Sequence, residues 1–560
     1  MNKNIIAALY YLLLITFFSS LPVHSQISPS KYFIRFADRN NSPYTLSNPS
    51  AFLSTKAMAR RTRQSISYVE NDLPVNPDYV DSVASKGATV LTRSKWFNGV
   101  SIYITDSAEL NAVIALPFVL SAKPVQLRKA NKGSVNLFKN DVITAEHHQS
   151  MRTTQSYDYG AAYNQVGMIH LDSLHSQGYH GEGMTIAILD DGFYNADSIA
   201  AFDSVRVNHQ ILGTKDFVGG DADVFQDTVY GEGNILHGMW TFSLIGANLP
   251  GQLVGTAPKA NFYLLRTEQN ASENIIEEYN WDAGAEYADS AGADVFSTSL
   301  GYTTFDDTTQ NHTYASMDGK TCPITIAAEI AASKGILVVN SAGNEGNSSW
   351  QYISAPADGD SVLTIGAVDS SGNYVSFSGK GPTYDGRLKP NVVAQGAQTV
   401  IADTGGGTTT GGGTSFSCPI IAGAAACLWQ KYPNASNMQI FNAIEESASQ
   451  YTHPDTLLGY GIPNFYLANI LLSGIAKEDE HHSFTVYPNP ALSYVTIASN
   501  HNTVKAELLL IDVVGRIVMK RAIGLNETIF QIDVNMLSKG VYFLQLISEE
   551  GTLETKMVKQ

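Results

Sequence analysis

The amino-acid sequence predicts a three-layer α/β domain built on a parallel sheet, preceded by a smaller α+β unit and followed by a β-sandwich. Three observations lead there. Short, nearly continuous apolar runs at Thr185–Leu189, Phe262–Leu265, Gly335–Val339 and Val362–Ile365 suit strands covered on both faces. Helical periodicity lies between them: Ile276, Tyr279, Ala283 and Tyr287 recur at spacings of 3, 4 and 4, and Ile326 and Ile330 share a face. Strands alternating with helices build layers. After about Lys477 the pattern changes to strand-like segments separated by turns such as Pro488-Asn489-Pro490 and Gly515, the pattern of a sandwich.

Composition bounds the reading. A chain of 560 residues is too long for one compact core. Lys+Arg 35 against Asp+Glu 52 gives a net charge of −17, which excludes a general binder of nucleic acid or anionic lipid because no large basic surface remains to meet phosphates. Hydrophobic residues at 44% are enough for cores. Three cysteines cannot make a disulfide framework. Cys418 and Cys427 read as small buried hydrophobes, and Cys322 as a free thiol.

The elements follow in order. Residues 1–25 read as a signal peptide: Lys3 supplies a positive start, Ile5–Phe18 is apolar apart from Thr16, and Val23-His24-Ser25 suits a cut before Gln26. The apolar run is too short to span a membrane, and no later run is longer. Residues 26–150 form the α+β unit and a linker. Strands are expected at Tyr32–Phe36 and Gly99–Ile104, helices at Ala51–Thr62 and Ala108–Ala115, and a polar, exposed linker at Lys129–Tyr159. The central domain spans residues 155–474. The sandwich spans residues 484–560, with strands at Phe484–Tyr487, Tyr494–Ile497, Glu507–Ile511, Arg516–Met519, Thr528–Asp533 and Val541–Ile547. His147-His148 and His481-His482 fall in polar linkers and read as surface residues.

Four stretches of the central domain carry chemistry. Asp190 follows a strand directly, at the carboxyl end where open α/β sheets place ligands. His237-Gly238 precedes an apolar stretch, so an imidazole there could be oriented by that carboxylate. Gly411-Gly412-Gly413-Thr414-Ser415 opens an Ala-rich helix. The glycines admit a close backbone approach, and the unpaired N–H groups at the helix start favour an oxyanion. Asn344, in Ala342-Gly343-Asn344-Glu345-Gly346 after another strand, could donate to the same oxyanion. Singly, each has an ordinary structural explanation: a turn, a half-buried histidine, a capped glycine loop.

Together and in the order Asp, His, Asn, Ser, the motifs Ala187–Gly192, His237-Gly238, Ala342–Gly346 and Gly413–Pro419 resemble those of the subtilisin-like serine proteases. Gly255-Thr256-Ala257-Pro258, Ser299-Leu300-Gly301 and Gly459-Tyr460-Gly461 are similar to family motifs as well, and the likeness covers about Tyr157–Leu472. The resemblance implies Ser415 as nucleophile, His237 as general base and then acid, Asp190 as orienting carboxylate and Asn344 in the oxyanion hole. It also implies Ser299, Leu300 and Gly301 as the edge that pairs with extended protein or peptide substrates. The sequence departs from the family at Asp191, Met239 and Phe416, where Ser or Thr, Thr and Met are usual; no catalytic group is lost.

The N-terminal unit resembles a family propeptide of ferredoxin-like topology, which implies a chaperone and inhibitor of the chain's own peptidase. The C-terminal segment, with Tyr487-Pro488-Asn489-Pro490, Val513–Arg516 and Lys539–Tyr542, resembles the sorting domain of type IX secretion in Bacteroidetes. That implies the type IX machinery as a partner and a secreted or cell-surface location across a bacterial outer membrane. No cofactor is required and no metal ligand set is assigned. Structural calcium is common in the family, and Asp221, Asp223 and Asp227 are the candidates, read here as a solvated acidic loop. Two other readings stay open: an inactive binding protein on a protease scaffold, and an esterase using Ser415 with partners such as Asp455 and His481. The esterase needs a G-x-S-x-G elbow, which this sequence misses at the last glycine.

Overall fold

The computed structural model describes residues 30–126, 142–144, 157–227, 235–475, 484–499, 506–513, 515–524, 529–548 and 551–560. The signal segment and the paired histidines at 147–148 and 481–482 lie outside the described residues. Among the described residues no helix is long and apolar enough to cross a membrane. The chain forms two compact units, one of residues 1–43 and 74–131, the other of residues 44–73 and 132–560.

The first unit has a βαββαβ order: Lys31–Phe36, helix Pro77–Ala84, Thr89–Ser94, Gly99–Tyr103, helix Ser107–Ile114 and Val119–Gln126. Its four strands pair antiparallel, with Lys31–Phe36 between Gly99–Tyr103 and Val119–Gln126. This is the ferredoxin-like arrangement. Asn76 and Asp106 start the two helices by accepting backbone N–H bonds. The inward faces of strands and helices, including Ile34, Val83, Val100, Ile102 and Val113, make its core.

The helix expected at residues 51–62 forms as Thr55–Arg63, but it belongs to the second unit rather than to this α+β fold. Its sequence explains the difference. Arg60 and Arg61 are almost wholly buried, and cations can be buried only where carboxylates and carbonyls meet them; the second unit supplies these.

The second unit is built on seven parallel strands in the order Val392–Gln395, Val362–Val368, Leu337–Ser341, Val295–Thr298, Thr185–Asp190, Asn261–Arg266 and Ile211–Asp216. The interior strand Thr185–Asp190 is buried throughout, as strands covered on both faces require. The helices His237–Gly246 and Thr414–Lys431 share one core with this sheet through Met239, Phe242, Phe416 and Ile421. Within the linker, Val142–Thr144 is a strand antiparallel to Thr408–Gly412, which runs into the Ser415 helix. Among the described residues, seven further strands from Phe484 to Lys559 form two antiparallel sheets, of three and four strands.

Candidate active site

The end of the strand Thr185–Asp190, the start of two helices and one loop build the site. Asp190 is the last residue of its strand and fully buried. Its Oδ1 accepts the His237 Nδ1 hydrogen bond at 2.6 Å and the Asp191 N–H at 2.9 Å, and its Oδ2 accepts the Thr241 hydroxyl at 3.0 Å. His237 begins its helix, and Thr241 lies one turn on, so both face the same carboxylate. Gly238 allows this approach, since a Cβ there would lie 2.3 Å from the Gly192 carbonyl oxygen.

Asp191 turns the other way. Its Oδ1 accepts the Gly238 N–H at 2.9 Å and its Oδ2 the Asn270 amide at 2.8 Å. It thus caps the helix that carries His237, satisfying an N–H that has no intrahelical partner. Burial, reinforced by the adjacent Asp190, raises the Asp191 carboxyl to about 7. The ligand-type atoms of Asp190, Asp191 and His237 lie within 4.8 Å of one another, but the four carboxylate oxygens are each engaged by these internal bonds.

Ser415 stands in the first turn of the helix Thr414–Lys431. Pro419 has no N–H for the Ser415 carbonyl four residues back. The Ser299 hydroxyl fills that role, donating to the Ser415 oxygen at 2.9 Å. The side chain of Ser299 therefore steadies the serine's backbone. The Asn344 Oδ1 accepts the Thr414 N–H and hydroxyl at 2.8 and 2.9 Å, which fixes the amide plane and turns its NH₂ edge the opposite way. Phe416, next to Ser415, brings its ring centroid 6.1 Å from that of His237.

Ser299, Leu300, Gly301, Asn344 and Ser415 line one cavity, open to solvent. Glu268, Glu273 and Glu345 line it too, and among the described residues no lysine, arginine or histidine does. Glu268 is buried, accepts the Tyr302 hydroxyl, and is raised by burial to about 7. The buried Ser354 hydroxyl has no partner among the described residues; a Cβ on Gly301 would lie 2.1 Å from it and one on Gly343 2.7 Å from it. It lies between the two glycine segments that flank the cavity.

A match to the subtilase family model covers residues 181–461, half of the chain. Subtilisin E of Bacillus subtilis (strain 168) is 30% identical over 325 residues, 58% of this chain and 74% of that protein. The chain belongs to the subtilase family. It is also 29% identical over 316 residues to a subtilisin of Bacillus pumilus, 56% of this chain and 99% of that protein. With the thermostable alkaline protease of Halalkalibacterium halodurans the identity is 26% over 343 residues, 60% of this chain and 81% of that protein. Residues 31–139 match the peptidase S8 propeptide domain of Bacteroidota, and residues 485–560 the secretion system C-terminal sorting domain. This subtilase is a secreted serine endopeptidase with a propeptide and a type IX sorting tail.

The remaining candidates are structural. Asp221 and Asp223 accept N–H bonds of their own loop, and Asp227 pairs with Arg266 at 3.3 Å. A calcium cage needs about 6–8 converging oxygens, and among the described residues these three carboxylates do not gather into one ligand cluster. Asp455, the esterase candidate, accepts the N–H groups of Leu457 and Leu458 in a turn. The three cysteines are free and buried, and burial pushes Cys418 up to about 12. Motif reading passed over Thr241, Asn270, Glu268 and Ser354. Of these, Thr241 was legible as the residue one helical turn beyond His237.

Proposed function

We propose that this endopeptidase works through Ser415 as nucleophile, His237 as proton carrier, Asp190 as the carboxylate that orients it, and Asn344 as a donor to the oxyanion. The observation that carries the reading is the buried 2.6 Å bond between His237 Nδ1 and Asp190. It holds the proton on Nδ1 and leaves Nε2 as the basic nitrogen. His237 takes the Ser415 proton as Oγ attacks the scissile carbonyl, and Asp190 stabilises the imidazolium that results. Charge moves to the carbonyl oxygen, where the Asn344 NH₂ and the Ser415 N–H donate. His237 then protonates the departing amine. Water hydrolyses the acyl-enzyme by the same steps in reverse.

Substrate enters extended along Ser299-Leu300-Gly301, as an added strand. Glu273 and Glu345, with no described cation among the lining residues of the cavity, favour substrates with a cationic side chain near the scissile bond. The propeptide acts as inhibitor, and the sorting tail hands the protein to the type IX machinery for passage across the outer membrane.

A fluorophosphonate probe with purified enzyme tests the assignment. Wild type is labelled on Ser415 and cleaves unfolded protein, whereas Ser415→Ala does neither; labelling that persists in Ser415→Ala refutes it. Among peptides differing only in Arg or Leu beside the scissile bond, the Arg peptide is expected to have a kcat/KM at least about tenfold higher, the worth of one charge-assisted hydrogen bond.

A further inference from the structure

The helix Thr55–Arg63 lies within the stretch that matches the propeptide model, yet its contacts are those of an integral part of the peptidase domain. Two peptidase helices, Ile276–Ala291 and Pro323–Ser333, run out beneath it. Each is followed by a glycine in the left-handed region, Gly292 at φ +99° and Gly335 at φ +84°. Helix ends leave carbonyls without intrahelical partners and carry partial negative charge. The segment Ser54–Gln64 meets those carbonyls.

Ser54 donates its N–H to the Ser290 oxygen and its hydroxyl to the Ala291 oxygen, both at 2.9 Å. Arg60 donates to the carbonyl oxygens of Ala293, Lys334 and Asp289, and to Asp289 Oδ1 at 2.5 Å. Arg61 donates to the Lys334 carbonyl and bridges Asp72 at 2.6 Å and Asp289 Oδ2 at 3.1 Å. Lys56 pairs with Asp294 at 2.8 Å, and the Gln64 amide donates to the Gly335 oxygen at 2.8 Å. The fit is close: a Cβ on Gly292 would lie 2.8 Å from Lys56 Cβ. Both guanidinium groups are shut off from water, so salt screens them little.

We propose that the C-terminal ends of these two helices form a receptor for the paired arginines of Ser54–Gln64, and that this receptor keeps its hold after the chain is cut between the propeptide and the peptidase domain. The occupant is this chain's own segment, first tethered and then bound non-covalently. Planar guanidinium forks suit a site of carbonyls and one shared carboxylate; a lysine supplies the charge without the geometry. The proposal does not depend on which residue is the nucleophile.

The test uses the full chain carrying Ser415→Ala, with the recognition sequence of an added site-specific protease inserted between residues 150 and 157. After cutting, gel filtration at about 0.15 and about 1 M NaCl, the range over which surface charges become screened, follows the N-terminal fragment. It is expected to co-elute with the peptidase at both salt concentrations. With Arg60→Ala and Arg61→Ala together, release is expected to be faster by roughly 30-fold or more. Should the double variant not fold, Arg60→Lys decides, with measurably faster release expected at unchanged charge. A wild-type fragment that separates overturns the proposal. So does a fragment held equally well with the arginines replaced or, where only Arg60→Lys folds, with that lysine.

Discussion

Two buried clusters of charge in the same unit differ in one respect. Around the helix Thr55–Arg63, the cations Arg60, Arg61 and Lys334 face Asp72 and Asp289 and a set of helix-end carbonyls. Every cation there has an anion or a carbonyl within hydrogen-bonding reach, and the helix is tied into the fold by them. At the candidate active site the imbalance runs the other way. Asp190 and Asp191 are adjacent and buried, Glu268 and Glu277 lie on neighbouring segments, and among the contacts described the partners are an imidazole, hydroxyls, amides and N–H groups. Burial raises Asp191, Glu268 and Glu277 above the ordinary carboxylate range. Balanced buried charge builds architecture; unbalanced buried charge is held in reserve for chemistry.

The comparison predicts opposite phenotypes. Asp190→Asn is expected to lower kcat by about 10⁴-fold, because an amide permits the wrong imidazole tautomer, while chemical denaturation shows little loss of stability. A rate within about tenfold of wild type, a small part of that expected loss, would place Asp190 outside the reaction. Arg60→Ala should do the reverse. It leaves Asp289 buried beside Arg61 alone and strips hydrogen bonds from three carbonyls, at a cost of about 3–5 kcal/mol in unfolding free energy. The fraction that remains folded should keep the wild-type kcat, measured by active-site titration. A lower kcat per titrated site would mean that the two clusters are not separate in role.

The candidate-site residues are legible in the sequence as candidates, and the arginine cluster is not. Asp190, His237, Asn344 and Ser415 each sit where a strand ends or a helix begins, and glycines beside them signal close backbone approach. Such features are local, so a linear reading finds them. The arginines reach Asp289 and the Lys334 carbonyl across 228 to 274 positions, and Arg60-Arg61 reads in isolation as the solvated end of an amphipathic helix. Nothing near them in sequence announces that Asp289 and two helix ends will arrive. Ser299 is intermediate: its motif was legible, but its bond to the Ser415 carbonyl follows only from Pro419 standing four residues beyond the serine.

The smallest expected effect concerns Asp191, where the two kinds of charge meet: it caps a helix, as a structural anion does, but sits beside Asp190. Its carboxyl is raised from 3.8 to about 7 by burial and by that neighbour. Between those values the folded state holds a proton that the unfolded state has released. Stability from this group is therefore present at low pH and declines as pH rises towards 7, with a slope of up to about 1.4 kcal/mol per pH unit, and levels off above about 7. Glu268, also raised to about 7, contributes in the same direction. Asp191→Asn should remove its own contribution, so that the unfolding free energy of the variant falls less steeply than that of wild type between about pH 5 and about pH 7. The amide oxygen can still accept the Gly238 N–H, so the cap and the position of His237 are retained. Equal slopes for the two proteins would mean that Asp191 is ionised throughout and belongs with the balanced charges, despite the carboxylate next to it.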